Sequence, residues 1–491
     1  LKNPRLSTLL ISCSLNELFK KVSNKYRQFK VSFIYIKGVS ILPKIENKQL
    51  LQKLLTLAVP IMGANLLQML YNLADTYFLG KLGSEALAAP SVSFSIVFFM
   101  IIFGSGFSMA GTTLISQAKG KNDQEKVDFY VSQTFLMMII LSVGIMIAGL
   151  AGSTMLLKAL QVPENIFDNV SIYLRIIFLG MPFMFMSFVL RATLQGIGDS
   201  VTPLKIQLVT VVINIILDPL LIFGLGPFPE LGVAGAAIAT VIARFISMMI
   251  ALYILFSGKK GVRIKLKYIK PERKAWGLII KIGLPSAIGG GISALGFSVL
   301  QGVVNTFGTP VIAAFGVGNR IIGLFNMPAQ GISQATAVIV GQQLGAKEPE
   351  TAEKAVKYGA VSISLFIIVS MTITFFYGNY LTKFFINESD VIAYGSQLFR
   401  VVSLSAVFFS LFTVYGGAFQ GGGDTKPIMV FNIIRLWVIR VPFAFLLSRT
   451  AGLGPEGIWW AMCISNVTVA VGIFLLYKTG RWKSKLNSDN I

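Results

Sequence analysis

The sequence predicts an all-α membrane protein of twelve transmembrane helices, built as two six-helix bundles related by a pseudo-two-fold axis along the membrane normal. Three observations carry that expectation. Of the 491 residues, 54% are hydrophobic and only 13% are charged, about half the charged share of a soluble domain. Apolar runs long enough to cross ~30 Å of hydrocarbon recur along the chain. The second half of the chain repeats the first.

The apolar runs become helices because backbone groups in lipid have to be satisfied within their own segment. The short alternating segments of a membrane β-barrel do not occur. In the first half the runs fall near 52–80, 86–118, 128–152, 168–190, 200–224 and 232–257. In the second they fall near 276–304, 311–341, 354–378, 394–417, 427–448 and 456–478. The chain then divides into a basic extension (1–51), a first lobe (52–257), a basic linker (258–275), a second lobe (276–478) and a tail (479–491).

Where the basic residues lie explains the net charge of +22 without nucleic acid. With the N-terminus inside, only Lys81, Lys158, Lys383 and Arg449 occupy outer loops, as the positive-inside rule requires. The expectation is a multi-pass protein of the plasma (inner) membrane, with both termini cytoplasmic. Residues 1–45 lack the tripartite order of a signal peptide. They are expected to be a cytoplasmic extension, or residues upstream of the working start, and to carry none of the mechanism. The linker is expected to anchor the topology against anionic lipid.

Shifting the chain by 225 positions lays Pro60 on Pro285, Gly83 on Gly308, Gln117 on Gln342, Gly120 on Gly345 and Arg175 on Arg400. The same shift overlays Gln195-Gly-x-Gly-Asp199-Ser200 on Gln420-Gly-x-Gly-Asp424-Thr425. With a slip of two, Pro219 then meets Pro442. Each half holds an even number of spans, so the repeats are parallel. The Gly-rich motif lacks the strand and lysine of a phosphate loop, and reads as a tight turn with a glycine closing one helix and the aspartate capping the next.

The chain has no histidine, which excludes histidine–metal catalysis and histidine proton relays. Cys13 and Cys463 show no ligand spacing. No cofactor and no enzymatic activity are expected.

Chemistry is therefore sought in acids within the spans, which are costly in lipid and carry function by default. Asp75 and Asp218 are the two deep ones. Tyr71 and Asn214 precede them by four residues and so share their helix faces, and Thr240 adds an oxygen in the sixth span. The repeat counterparts of the five are Leu300, Val441, Gly296, Trp437 and Met462, so the polar set belongs to the first half alone. Two carboxylates in a low-dielectric site do not readily both stay charged, and the pair could take up a proton. Alternatively, Asp75, Asn214, Asp218 and Thr240 could hold a dehydrated Na⁺. A hydrogen-bonded pair that only joins helices is the plainer alternative. Pro60 and Pro219 are candidate hinges, since each removes a backbone donor within a span. Six arginines also fall in spans. They are Arg175, Arg244, Arg320, Arg400, Arg435 and Arg440; those near helix ends can snorkel, while Arg320, Arg435 and Arg440 are candidate cavity cations that either meet an anion or brace the second bundle.

Over residues 54–477 the chain resembles the MATE (multidrug and toxic compound extrusion) family. The carriers are Pro60, Tyr71-x-x-x-Asp75-Thr76 with Gly80, the Gly83-to-Pro90 connection, Gln195-Gly-x-Gly-Asp199, Asn214-x-x-x-Asp218-Pro219 and the Gly232-to-Thr240 run. The resemblance implies a V-shaped pair of lobes that alternates in access, and export of organic, often cationic, small molecules against H⁺ or Na⁺. It assigns ion coupling to Asp75, Asn214, Asp218 and Thr240, with Tyr71 beside them. Spans seven and ten hold no acid, which makes the chain more similar to the DinF-type branch than to the subgroup with second-lobe carboxylates. The expected partners are a small organic substrate and the bilayer, with no nucleic acid, and the expected state is a monomer. A lipid or lipid-linked oligosaccharide flippase is the alternative function. An intramembrane aspartyl enzyme is weaker still, because no second motif supports it.

Overall fold

The computed structural model describes residues 48–484, so the expectations for 1–45, for Cys13 and for the end of the tail lie outside the described residues. Among the described residues, eleven helices are long and apolar enough to cross a membrane, and one bent pair completes a twelfth crossing. The first half contains α1 (Lys48–Gly80), α2 (Ser84–Gly120), α3 (Gln124–Ala159), α4 (Glu164–Leu179), α5 (Met181–Ile197), α6 (Val201–Ile222) and α7 (Gly232–Ser257). The second contains α8 (Arg273–Asn305), α9 (Thr309–Gly345), α10 (Pro349–Phe385), α11 (Ser389–Gly421), α12 (Lys426–Thr450) and α13 (Pro455–Lys478). No strand occurs among the described residues.

Three crossings differ from the uniform helices that hydropathy predicts, one of them α10, which kinks at Tyr377 (φ −108°, ψ 15°). The fourth, expected as one helix over 168–190, bends by 45° between α4 and α5. Gly180 closes α4 and Pro182 sits in the first turn of α5, where its missing N–H and rigid ring interrupt the ladder. The eleventh, α12, leaves α-helical bonding for two π-helical stretches, Ile434–Arg440 and Leu446–Thr450.

The two halves meet where small residues let backbones approach. A Cβ on Gly106 of α2 would lie 2.7 Å from the Ala287 nitrogen of α8. At the linker side the contacts become reciprocal. A Cβ on Gly120 would lie 1.9 Å from the Gln342 carbonyl oxygen, and one on Gly345 would lie 2.1 Å from that of Gln117. Gln117 Nε2 donates to the Gly421 carbonyl at 2.8 Å, and Gln342 Nε2 donates to the Gly196 carbonyl at 3.0 Å. Each donor and each acceptor is the repeat counterpart of the other, so the duplication appears here as a two-fold lock. Lys53 Nζ adds a bond to Gln342 Oε1 at 2.9 Å.

The closing glycine of each Gly-rich turn takes the expected left-handed form. Gly198 takes a left-handed φ of 97° and Gly423 one of 77°. Asp199 accepts from the Val201 and Thr202 backbone nitrogens at 3.1 and 2.9 Å and from the Thr202 hydroxyl at 2.6 Å, which caps α6. Burial by itself would push the Asp199 carboxyl up, but the Thr202 hydrogen bonds and nearby Lys260 outweigh it and hold it below the usual carboxylate value. The turns also reach each half's first helix. Ser200 Oγ lies 3.5 Å from the Thr56 carbonyl, which Pro60 leaves without its helical N–H partner. Thr425 Oγ1 donates to the Ile282 carbonyl at 2.6 Å, one turn before Pro285.

The linker is tied to α3. Lys265 Nζ pairs with Asp128 at 2.9 Å, and Gln133 Nε2 donates to the Tyr268 and Lys270 carbonyls at 2.8 Å each. Lys267 pairs with exposed Glu125 at 2.9 Å, a contact of little energetic weight.

Candidate functional site

The polar set of the first half assembles from α1, α6 and α7. Tyr71 Oη donates to Thr240 Oγ1 at 2.8 Å, tying α1 to α7. On α6, Asn214 Nδ2 donates to Asp218 Oδ1 at 2.9 Å, the i, i+4 geometry that the spacing predicts. Asn214 and Asp218 are wholly buried, and Tyr71 and Thr240 nearly so. Asp75 is half-buried, and its charge bears on Asp218 and Tyr71, which places the three in one electrostatic neighbourhood.

Three acceptor oxygens there are enclosed with no hydrogen-bond partner: Asp75 Oδ1, Asn214 Oδ1 and Asp218 Oδ2. A buried acceptor without a donor costs on the order of 1–3 kcal/mol, more when charged. Three such acceptors in one neighbourhood are a donor set that a cation or a proton would satisfy. Hard oxygen donors of carboxylate, amide and hydroxyl type suit Na⁺, and the same carboxylates suit H⁺.

Two further residues join the site. Arg244, one of the six arginines within spans, lies over the Tyr71 ring with its guanidinium 5.6 Å from the centroid. Tyr173 of α4 is buried within range of the charges of Asp75, Asp218 and Arg244. An aromatic in an apolar run gives no signal in the sequence, whereas an arginine in a span does.

The candidate hinges sit in continuous helices: Pro60 buried within α1, and Pro219 directly after Asp218 in α6. The three candidate cavity cations separate. Arg320 is exposed on α9, whereas Arg435 and Arg440 are buried on α12. Arg440 Nε donates to Ser465 Oγ at 2.9 Å and its Nη2 to Asn466 Oδ1 at 2.6 Å. Cys463 is a buried free thiol, and no three His, Cys, Asp or Glu side chains cluster as metal ligands among the described residues.

This arrangement has a family. The MatE model matches residues 60–220 and, a second time, residues 285–446, each match beginning at one of the repeated prolines. The chain belongs to the MatE family. Its members are membrane transporters, not enzymes. A "Probable multidrug resistance protein YpnP" of Bacillus subtilis (strain 168) is 30% identical over 438 residues, covering 88% of this chain and 96% of that protein. A "Probable multidrug resistance protein NorM" of Thermotoga maritima is 29% identical over 453 residues, covering 90% and 96%. A crystal structure of a MATE protein in a bent conformation superposes with a TM-score of 0.83 at 25% identity, covering 89% of this chain and 98% of that one. The all-helical MatE architecture is thereby shown for this chain.

Proposed function

We propose that this MatE protein is a secondary active exporter of drug-like or toxic organic compounds, antiporting organic, often cationic, substrates against H⁺ or Na⁺ by alternating access. The observation that carries the coupling site is the trio of partnerless buried oxygens on Asp75, Asn214 and Asp218. A proton or Na⁺ bound there neutralises charge that low-dielectric surroundings penalise. Thr240, already holding the Tyr71 hydroxyl, links that charge to α1. The multidrug names of the relatives support the substrate class, and the exporter is read as a monomer of the plasma membrane with cytoplasmic termini.

In this reading α1 is the moving part. Occupation of the site changes the pull of Asp75 and Tyr71 on α1, and Pro60, whose lost hydrogen bond leaves only the long contact from Ser200, yields first. α1 then bends against the rest of the first half and substrate leaves. Conversely, substrate binding favours ion release, since two ligands coupled through one element affect each other reciprocally.

The test is uptake of rhodamine 6G into everted vesicles with a pH gradient or a Na⁺ gradient imposed separately. Gradient-driven uptake by the wild type that is lost in Asp75→Asn supports the reading, and the effective gradient names the ion. Absence of uptake under either gradient would remove it.

A further inference from the structure

Arg435 and Arg440 are the first-half site's counterpart in opposite charge. Val441 is the counterpart of Asp218, so Arg440 stands one residue before it, on the equivalent helix. In α6 regular α-helical bonding puts Asn214 and Asp218, four apart, on one face. In α12 the stretch Ile434–Arg440 is π-helical, with bonds running i to i+5. Residues five apart therefore stand about one turn above each other, which brings Arg435 and Arg440 to a common face. An α-helix would splay them.

Both guanidinium groups are buried, Arg435 to 4% and Arg440 to 2% exposure, and neither forms an ion pair among the described residues. Arg440 is oriented by Ser465 and Asn466, and Asn466 Nδ2 is held in turn by Ser405 Oγ at 3.2 Å. Arg435 has no such support. It lies 4.6 Å over the Phe409 ring and 5.8 Å from that of Phe412, and its Nε is enclosed with no hydrogen-bond partner. The Phe297 ring lies 5.8 Å from the Arg440 guanidinium. Ser465 and Asn466 orient Arg440 without an opposite charge, whereas Arg435 Nε has no acceptor within the protein, so an anion would complete both.

We propose that Arg435 and Arg440 form an anion-binding subsite of the second half, which takes a carboxylate, sulfonate or phosphate group carried on an aromatic body. The guanidiniums supply the charge-assisted hydrogen bonds, Arg435 through its free Nε, and Phe409, Phe412 and Phe297 supply the apolar wall. This rests on the exporter reading and narrows its substrates, because organic anions and zwitterions gain a contact that simple cations lack.

The test uses two dyes with the same xanthene core and opposite charge, fluorescein and rhodamine 6G, bound to purified full-length protein and followed by anisotropy. The expected result is fluorescein binding that weakens at least about tenfold in Arg435→Gln and less in Arg435→Lys, with rhodamine 6G binding unchanged in both. Retained rhodamine 6G binding also shows that the variants are folded. Displacement of fluorescein by added phosphatidylglycerol, but not phosphatidylcholine, would keep the anion site and assign it to a lipid headgroup. Fluorescein binding that is absent in the wild type, or equal in wild type and Arg435→Gln, overturns the proposal. The vesicle test of coupling stands apart from it, because Asp75→Asn is read with the cationic dye.

Discussion

Asn214 donates its amide nitrogen to one oxygen of Asp218 at 2.9 Å, yet its own carbonyl oxygen and the other Asp218 oxygen are both buried without a donor. A pair that served only to join helices would direct its remaining acceptors to backbone or side-chain donors of the neighbouring helices. Here the bond orients two acceptors and leaves them free, which is the arrangement a small cation needs.

Replacing Asp218 by Asn should therefore abolish gradient-driven export, with the initial rate down by at least about tenfold, while the protein still folds. The loss removes a buried charge rather than creating one, so thermal unfolding in detergent should move little or upward. Vesicle transport read beside a melting curve separates the two effects.

Tyr71→Phe removes the one hydroxyl that occupies Thr240. A net hydrogen bond is worth about 1 kcal/mol, close to a fivefold change in an equilibrium constant. The half-saturating concentration of the coupling ion should shift by about that factor, with the maximal rate much less affected. An unchanged ion dependence would make the Tyr71–Thr240 contact a plain helix tie.

Pro60→Ala restores a backbone donor to the Thr56 carbonyl and should stiffen α1. The expected outcome is slower export with substrate binding retained, read by comparing vesicle uptake with dye anisotropy. Wild-type transport with wild-type ion dependence in this variant would remove α1 bending from the mechanism.

The reciprocal Gln117–Gly421 and Gln342–Gly196 bonds join the two halves at the linker side. Gln117→Ala with Gln342→Ala should raise access from that side, measured as faster maleimide labelling of a cysteine placed at Ser116. Gly345→Val should do so more strongly, because its side chain cannot coexist with the Gln117 carbonyl at this approach. Labelling unchanged in both would show that other contacts set the closure.

Asp199 supplies a pH control. Its carboxyl is held below the ordinary value, so its capping contribution is complete above the unfolded value near 4 and is lost only as pH falls through the lower folded value. Asp199→Ala should lower stability by about 1 kcal/mol. It should leave the shape of the transport profile between pH 5 and 8 unaltered, and a changed shape would place Asp199 in the coupling chemistry.

Much of this site is legible in the amino-acid sequence because acids inside spans are rare and costly, so Asp75 and Asp218 stand out against apolar neighbours. Helical spacing then supplies Tyr71 and Asn214. Tyr173 is not legible, since aromatics in apolar runs are ordinary, and nothing in the spacing pairs Arg244 with the Tyr71 ring it covers. The duplication exposes Gln117 and Gln342 as equivalents but not as donors across the seam, which is a property of packing. The bend at Gly180 and Pro182 lies inside an unbroken apolar run, so hydropathy reads one helix. The π-helical register of α12 leaves no mark in composition, so the sequence offers Arg435 and Arg440 as candidate cavity cations without the register that relates them.

The central claim is that a cation at the first-half site and the substrate oppose each other's binding. The most direct measurement is rhodamine 6G binding to purified protein while Na⁺ is titrated at fixed pH and pH is lowered without Na⁺. The account predicts that one of the two cations weakens dye binding in the wild type, and that this weakening disappears when Asp75 and Asp218 are both changed to Asn. Dye binding that responds to neither cation, or that responds equally in the double variant, would contradict it.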